Sequence, residues 1–368
     1  MFLKVLFLII LAIHAIIHLF AFFKAFNIAG KNLITKPLSQ FEGFLWLLSS
    51  ILFLLTIILF IFHYRKWFYF GFIAIVFSQI LIFFIWNEAR YGTVINLIIL
   101  SVIGLKFSCV RFENKFKKES LNYLKHYVNI IPEVVDSEAL NKLPNIVKKY
   151  INYCNLQNNK KIYNFFVKLN GRMFIKKEKE FYFQSRQYNF LDKNIRLFFM
   201  KARFFGIPVY AYHKYVDGHA SMIVKICGII PIVNAKGEVM NVSETVTYFN
   251  DICLFSPLAL VYKNIQWTEI NDTTVTAKFF VNNIFISAQL IFNNDGKLIN
   301  FISYDRTDIK SMKKFPFYTP ISEYNHFGNF YLPSYGKAQW YYPDGPFTYI
   351  EVKVCNIFYN LRCQNLIL

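Results

Sequence analysis

The chain has 368 residues, more than one ordinary domain needs, and carries 41 Lys and Arg against 22 Asp and Glu, a formal net charge of +19. Its apolar residues gather at one end: residues 1–105 hold seven basic and two acidic side chains, so the net charge is +5 there and +14 in the remainder. No phosphate loop, dinucleotide fingerprint or nucleic-acid module accompanies the charge, so a solvated coat ranks first, an anionic lipid surface second and nucleic acid behind both.

Four apolar stretches open the chain, at about Phe2–Phe23, Phe44–Phe62, Trp67–Trp86 and Thr93–Phe107. The first three have the roughly 20 residues that cross a bilayer, and the first is too long for a cleavable signal peptide. Trp67 and Tyr69 at one end of the third stretch, and Trp86 and Tyr91 at the other, are interfacial aromatics. A four-helix transmembrane domain is therefore expected over 1–107. Lys36-Pro37 stops any helix in the first connection. Ser49, Ser50, Ser78 and Gln79 are polar residues within spans, expected to join helices by hydrogen bonds. His14 and His18 share a helix face at i, i+4, and interhelical hydrogen bonding is favoured for them over a metal or haem site. Lys4, Arg65, Lys66 and the run from Lys106 to Lys118 outnumber Lys24, Lys31, Lys36 and Arg90 on the other side. This basic bias favours a cytoplasmic C-terminal domain.

From 108 to 158 the pattern predicts an amphipathic, helical linker, with Phe112, Phe116, Leu121, Leu124 and Val128 recurring among lysines. Such a basic segment beside a bilayer suits its surface. Pro144 opens a second short helix with Ile146, Val147, Tyr150 and Ile151 on one face.

From about Lys160 the period becomes two, over runs such as Phe181–Phe183, Val209–Tyr212, Val275–Phe279 and Phe285–Leu290. Turn signals punctuate them at Asn170-Gly171, Asp217-Gly218, Lys236-Gly237, Asn294-Asp295-Gly296 and Pro343-Asp344-Gly345. Close turns argue for antiparallel meanders. One helix interrupts them at about Ser243–Leu260, with Ser243 as its N-cap. The expected fold is an α-helical transmembrane bundle followed by an α+β domain over 159–368, a large curved antiparallel, half-barrel-like sheet with one or two covering helices on one face.

An apolar concave face makes a groove whose candidate lining is Phe199, Phe204, Tyr210, Tyr212, Trp267, Tyr324 and Trp340. The same aromatics filling a core is the commoner outcome. Polar candidates are Arg203, His213, Asp217, Arg306 and Glu323. A metal site drawn on His213, His219 and Asp217 ranks below a surface turn, and no metal or cofactor is expected. The six cysteines form no CxxC pair and read as small buried hydrophobes. No constellation names a reaction: Ser221 lacks a nucleophile elbow, and Asp305-Arg306-x-Asp308 and Glu323-x-x-His326 read as ion pairs or caps.

Leu143-Pro144 with Val147 and Tyr150, the run Tyr215–Met222, and Gly228 through Pro231, Ala235 and Gly237 form an ordered series of landmarks. Trp267, Ile270, Asp295-Gly296, Pro320, Tyr324, Gly328, Pro333, Trp340, Asp344-Gly345 and Tyr349 continue it. Over Leu143–Val354 the series resembles a bacterial domain-of-unknown-function family of membrane-tethered β-rich proteins. Thr247-Tyr248 stands where that family usually has Arg-Tyr, and Thr319-Pro320-Ile321 where it usually has Pro-Trp. The strand layout is similar to the half-barrel of bacterial lipoprotein carriers, and Asn87 to Leu97 resembles DoxX-like four-helix membrane proteins. The resemblance implies a protein of the bacterial cytoplasmic (inner) membrane. The expected partners are the bilayer and a hydrophobic ligand or lipoprotein. A binding module ranks first, an interaction subunit of a membrane complex second, and an enzyme on a membrane-associated substrate third.

Overall fold

The computed structural model describes residues 2–28, 34–156, 160–176 and 179–363; Lys31, one of the basic loop residues, lies outside them. The chain forms two compact units, Met1–Arg111 and Phe112–Leu368.

In the first unit lie α1 (Phe2–Ala25), α2 (Gln40–Ile61), α3 (Trp67–Phe84), the single turn α4 (Trp86–Ala89) and the start of α5 (Gly92–Leu124). The helices α1, α2, α3 and α5 are long and apolar enough to cross a membrane. Ser39 caps α2 in a reciprocal pair with Glu42. The helix α5 does not stop near Phe107, because neither glycine nor proline follows before Leu124 and Glu113 pairs with Lys117 one turn on at 3.7 Å. Phe7, Leu11, Phe53, Trp67, Phe68, Ile75, Ile99 and Ile103 fill the middle of the bundle. Gly71 allows close packing: a Cβ there would sit 2.7 Å from Ile103.

A chain of polar groups crosses this apolar interior. His14 Nε2 donates to Asn96 Oδ1 at 2.9 Å, and Asn96 Nδ2 donates to Ser78 Oγ at 3.1 Å and Gln79 Oε1 at 3.0 Å. His18 Nδ1 donates to the His14 carbonyl at 2.8 Å, which leaves its Nε2 to accept from Ser78 Oγ at 2.9 Å. Each donor meets an acceptor when both imidazoles are neutral, as opposite tautomers. The histidines thus tie α1 to α3 and α5, as interhelical hydrogen bonding requires.

The second unit begins on α5. One turn of 3-10 helix (Lys125–Tyr127), α6 (Ser137–Asn141) and α7 (Asn145–Tyr153) lead to the strands. These are β1 (Asn164–Lys176), β2 (Lys179–Phe190), β3 (Ile195–Phe204), β4 (Ile207–Val216), β5 (His219–Ile226) and β6 (Ile230–Lys236). Helix α8 (Glu238–Phe255) and a 3-10 turn (Pro257–Val261) follow. Then come β7 (Ile265–Asn271), β8 (Thr274–Val281), β9 (Ile284–Phe292) and β10 (Leu298–Ser303). The pair β11 (Thr307–Asp308) and β12 (Lys313–Lys314) forms a separate small hairpin. The chain ends on β13 (Phe317–Phe327), β14 (Phe330–Tyr342) and β15 (Gly345–Tyr359).

Thirteen strands make one antiparallel sheet in the order β6-β5-β4-β3-β2-β1-β15-β14-β13-β10-β9-β8-β7, whose edges β6 and β7 do not pair. Adjacent strands rotate by about 20–25°, so the nine steps from β4 to β8 accumulate about half a turn. The β4–β5 turn therefore meets the β8–β9 turn: Asn282 Nδ2 donates to the Asp217 carbonyl at 2.8 Å and to its carboxylate at 3.0 Å. Inside this coil lies α8, with Phe249 stacked on Phe279 at 4.7 Å and Tyr248 on Tyr215 at 5.3 Å. From α7, Tyr150 donates to the Cys253 carbonyl at 2.8 Å.

Helices cover both faces rather than one. The apolar stripe expected to suit a bilayer surface is spent on the sheet's outer face, where Phe112, Phe116 and Leu124 pack on Tyr188, Phe190, Leu197, Phe199 and Tyr212. Asn170-Gly171 is not a turn but lies within β1, between Val352 and Phe183. A Cβ at Gly171 would sit 2.3 Å from the Glu351 carbonyl and 2.6 Å from the Phe183 ring, so the glycine marks close strand approach. The helix expected from Ser243 starts at Glu238, because Gly237 (φ 106°) turns the chain straight out of β6.

Two outcomes test this packing. Asn96→Leu strands the buried polar groups of His14, Ser78 and Gln79 and should destabilise the detergent-solubilised protein by about 1–3 kcal/mol in thermal unfolding. Gly171→Ala should cost about 1–3 kcal/mol by overpacking in the same assay, with loss concentrated in the second unit.

Candidate functional site

Because side chains alternate along a strand, β3 sends Arg196, Phe198, Met200 and Phe204 inward and Leu197, Phe199, Lys201 and Arg203 outward. The inward set and its counterparts on β1, β2, β4, β5 and β6 face α8 across a cavity of about 700 Å³. This is within the roughly 300–1,000 Å³ of small-molecule sites. Leu169, Met173, Phe181, Val209, Met222, Val224 and Ile232 make the apolar walls, and Phe317, Trp340 and Ile350 close the far side.

One end of the cavity is polar. Arg196 donates from Nε to Asp251 at 2.5 Å, from one terminal nitrogen to Glu244 at 3.2 Å and from the other to Gln187 at 3.2 Å. Gln187 in turn donates to Asp251 at 2.8 Å, and His213 Nδ1 lies 3.4 Å from Glu244. Burial alone would raise the Glu244 carboxyl, but His213, Arg196 and Arg306 hold it down at about 2. Burial pushes Asp251 the other way, above its ordinary value, against the pull of Arg196 and Gln187. Arg196 remains protonated despite burial because two carboxylates face it.

Two buried atoms in this lining are unspent. Arg306 packs over Phe317 (4.0 Å) and Trp340 (5.3 Å) and donates to Tyr349 Oη at 3.3 Å, yet its Nε has no hydrogen-bond partner among the described residues. Asn250 donates to Thr319 at 2.8 Å, and its Oδ1 is unpartnered. The cavity thus pairs an apolar body with a polar end built on Arg196, His213, Glu244, Asp251 and Arg306.

Of the residues the sequence singles out, Phe204, His213, Arg306 and Trp340 line this cavity. Phe199 and Tyr212 lie on the opposite face beneath α5, where Tyr212 donates to Glu119 at 3.0 Å. Tyr210 and Arg203 border a second, open groove of about 1120 Å³ on the outer face, with Arg172, Lys179, Lys201, Glu351 and Lys353. Trp267 packs against the inner core, as does Tyr324, which donates to the Leu298 carbonyl at 2.9 Å. Asp217 is held in its turn by Asn194 and Asn282, and Glu323 is exposed on β13.

Arg196, Gln187, Glu244 and Asp251 escaped the sequence reading. Their signal was present: Met240, Ser243, Glu244, Thr247, Asn250, Asp251 and Leu254 recur at helical spacing and face the cavity together. Only Met240 of this stripe precedes the helix start expected at Ser243. Among the described residues, no group of three or more His, Cys, Asp or Glu is arranged to hold a metal.

No curated protein matches the chain. A crystal structure of a LolA superfamily protein from Nitrosomonas europaea is similar at 7% identity and a TM-score of 0.33, covering 58% of this chain and 90% of that one. Residues 133–352, from the approach to α7 through most of β15, match a family described as "Family of unknown function (DUF6544)". The match spans more than half of the sequence and includes every motif from Leu143 to Tyr349, and the chain belongs to that family.

Proposed function

We propose that the second unit is a binding module for a lipid or other hydrophobic ligand, and that the four apolar helices anchor it to a membrane. The observation that carries this reading is the cavity between the sheet and α8. A packed protein interior leaves few voids larger than a water molecule, whereas about 700 Å³ is left here between apolar walls. The walls suit an acyl chain. The guanidinium of Arg306, a lining residue at the polar end, suits a headgroup oxygen that accepts a hydrogen bond. The acyl chain of a lipoprotein satisfies the same requirements.

The buried charges fit recognition better than bond-breaking. Arg196 and Arg306 balance Glu244 and Asp251, and the Glu244 carboxylate is already engaged by Arg196 and His213. A buried ionic cluster gives little net stability compared with apolar packing, so its upkeep here suits a polar headgroup.

Native mass spectrometry of the gently solubilised full-length protein should show a co-purified lipid. Val224→Trp, which places an indole in the apolar part of the cavity, should abolish that adduct while leaving thermal unfolding cooperative. Arg306→Met should weaken uptake of a fluorescent fatty acid roughly tenfold, the loss of one hydrogen bond to a charged group at about 1.5 kcal/mol. A lipid-free parent protein whose fatty-acid uptake is unchanged by both substitutions would contradict the reading.

A further inference from the structure

The strand order sets the β3–β4 and β5–β6 turns side by side at one end of the sheet, beside the start of β2. The Cys227 backbone N–H donates to the Pro208 carbonyl at 2.8 Å, joining the two turns, and Lys179, the first residue of β2, lies 5.3 Å from the rings of both Phe204 and Phe205. These two tips are unusually apolar for turns. Phe205 is 80% exposed, Ile230 59%, Ile232 52% and Ile207 48%. Turn tips in water favour glycine, asparagine and aspartate, and contiguous exposed apolar groups rimmed by charge mark an interaction surface.

The described rim charge is mostly basic. Lys176, Lys179, Arg203 and Lys225 stand beside these tips, and the acid Glu180 is held by Arg172 at 3.1 Å. Phe204 and Ile232 also line the cavity, so the apolar tips border its mouth. The opposite ends of the same strands are occupied instead: Tyr127 donates to Asp192 and Lys263 to the Leu191 carbonyl at the β2–β3 turn.

Chain direction supplies the last observation. Phe112, the first residue of this unit, has Lys225 over its ring at 5.1 Å. From there α5 runs past Phe116 on Phe199 to Tyr123 against Phe190, and the next turn ends with Tyr127 at Asp192. The polypeptide therefore enters the unit at the end that carries the apolar tips.

We infer that this lip, formed by the β3–β4 and β5–β6 tips, docks on an anionic lipid surface, with Phe205, Ile207 and Ile230 entering the headgroup layer and Lys179 and Arg203 meeting lipid phosphates. Amphipathic surfaces of this composition bind by apolar insertion plus attraction to anionic lipid. The docking does not depend on what the cavity holds.

Hydrogen exchange on the full-length protein in nanodiscs tests it, comparing phosphatidylcholine alone with phosphatidylcholine plus phosphatidylglycerol. Peptides over 203–209 and 226–232 should exchange several-fold more slowly in the anionic discs, and high salt should remove the difference. Lys179→Ser combined with Arg203→Ser should lower the docked-to-free ratio about thirtyfold, at roughly tenfold or less per basic side chain. Unchanged exchange over 284–292 would show that this variant is folded. Phe205→Ser should act in the same direction. Equal exchange of the tips in neutral discs, anionic discs and detergent would overturn the proposal, as would protection that survives the double substitution.

Discussion

A thirteen-stranded antiparallel sheet of L-residues cannot lie flat, and the twist it accumulates governs the second unit. About half a turn between β4 and β8 brings Asp217 against Asn282 and rolls the inner face around α8. The cavity lies between α8 and the inner faces of β1 to β6. Its walls are apolar because alternate residues of β1 to β6 were already committed to an inner face.

The twist also explains why two aromatic sets coexist in adjacent strands. Phe198 and Phe199 are neighbours in sequence and belong to different cores, one facing α8 and one facing α5. A sheet covered on both faces needs apolar residues in both alternating sets, which is why β3 carries Leu197-Phe198-Phe199-Met200 as one unbroken run.

Polar groups within apolar surroundings recur in both units under the same rule. In the bundle, His14, His18, Ser78, Gln79 and Asn96 hydrogen-bond to one another across helices. In the cavity, Arg196 is met by two carboxylates and an amide, so charge is kept but balanced.

Much of this protein was legible in one dimension. The four apolar helices follow from run length, and the antiparallel meander from two-residue alternation between turn signals, because both depend on neighbours along the chain. The ordered landmarks from Leu143 to Tyr349 likewise announced the family. Asn170-Gly171 misled because a glycine required for close strand approach and a glycine required for a turn are the same letter. The site was only partly legible: His213, Arg306, Phe204 and Trp340 could be named, but not separated from Phe199, Tyr212 and Tyr324, which have the same chemistry and pack elsewhere. The sequence alone therefore determined what each segment is, through periodicity and hydrophobicity. Only the tertiary structure decided which face meets which helix, and so where Arg196, Glu244 and Asp251 converge. The physical reason is that the cavity is enclosed by strands and a helix far apart in the chain, brought together by a twist that no local pattern encodes.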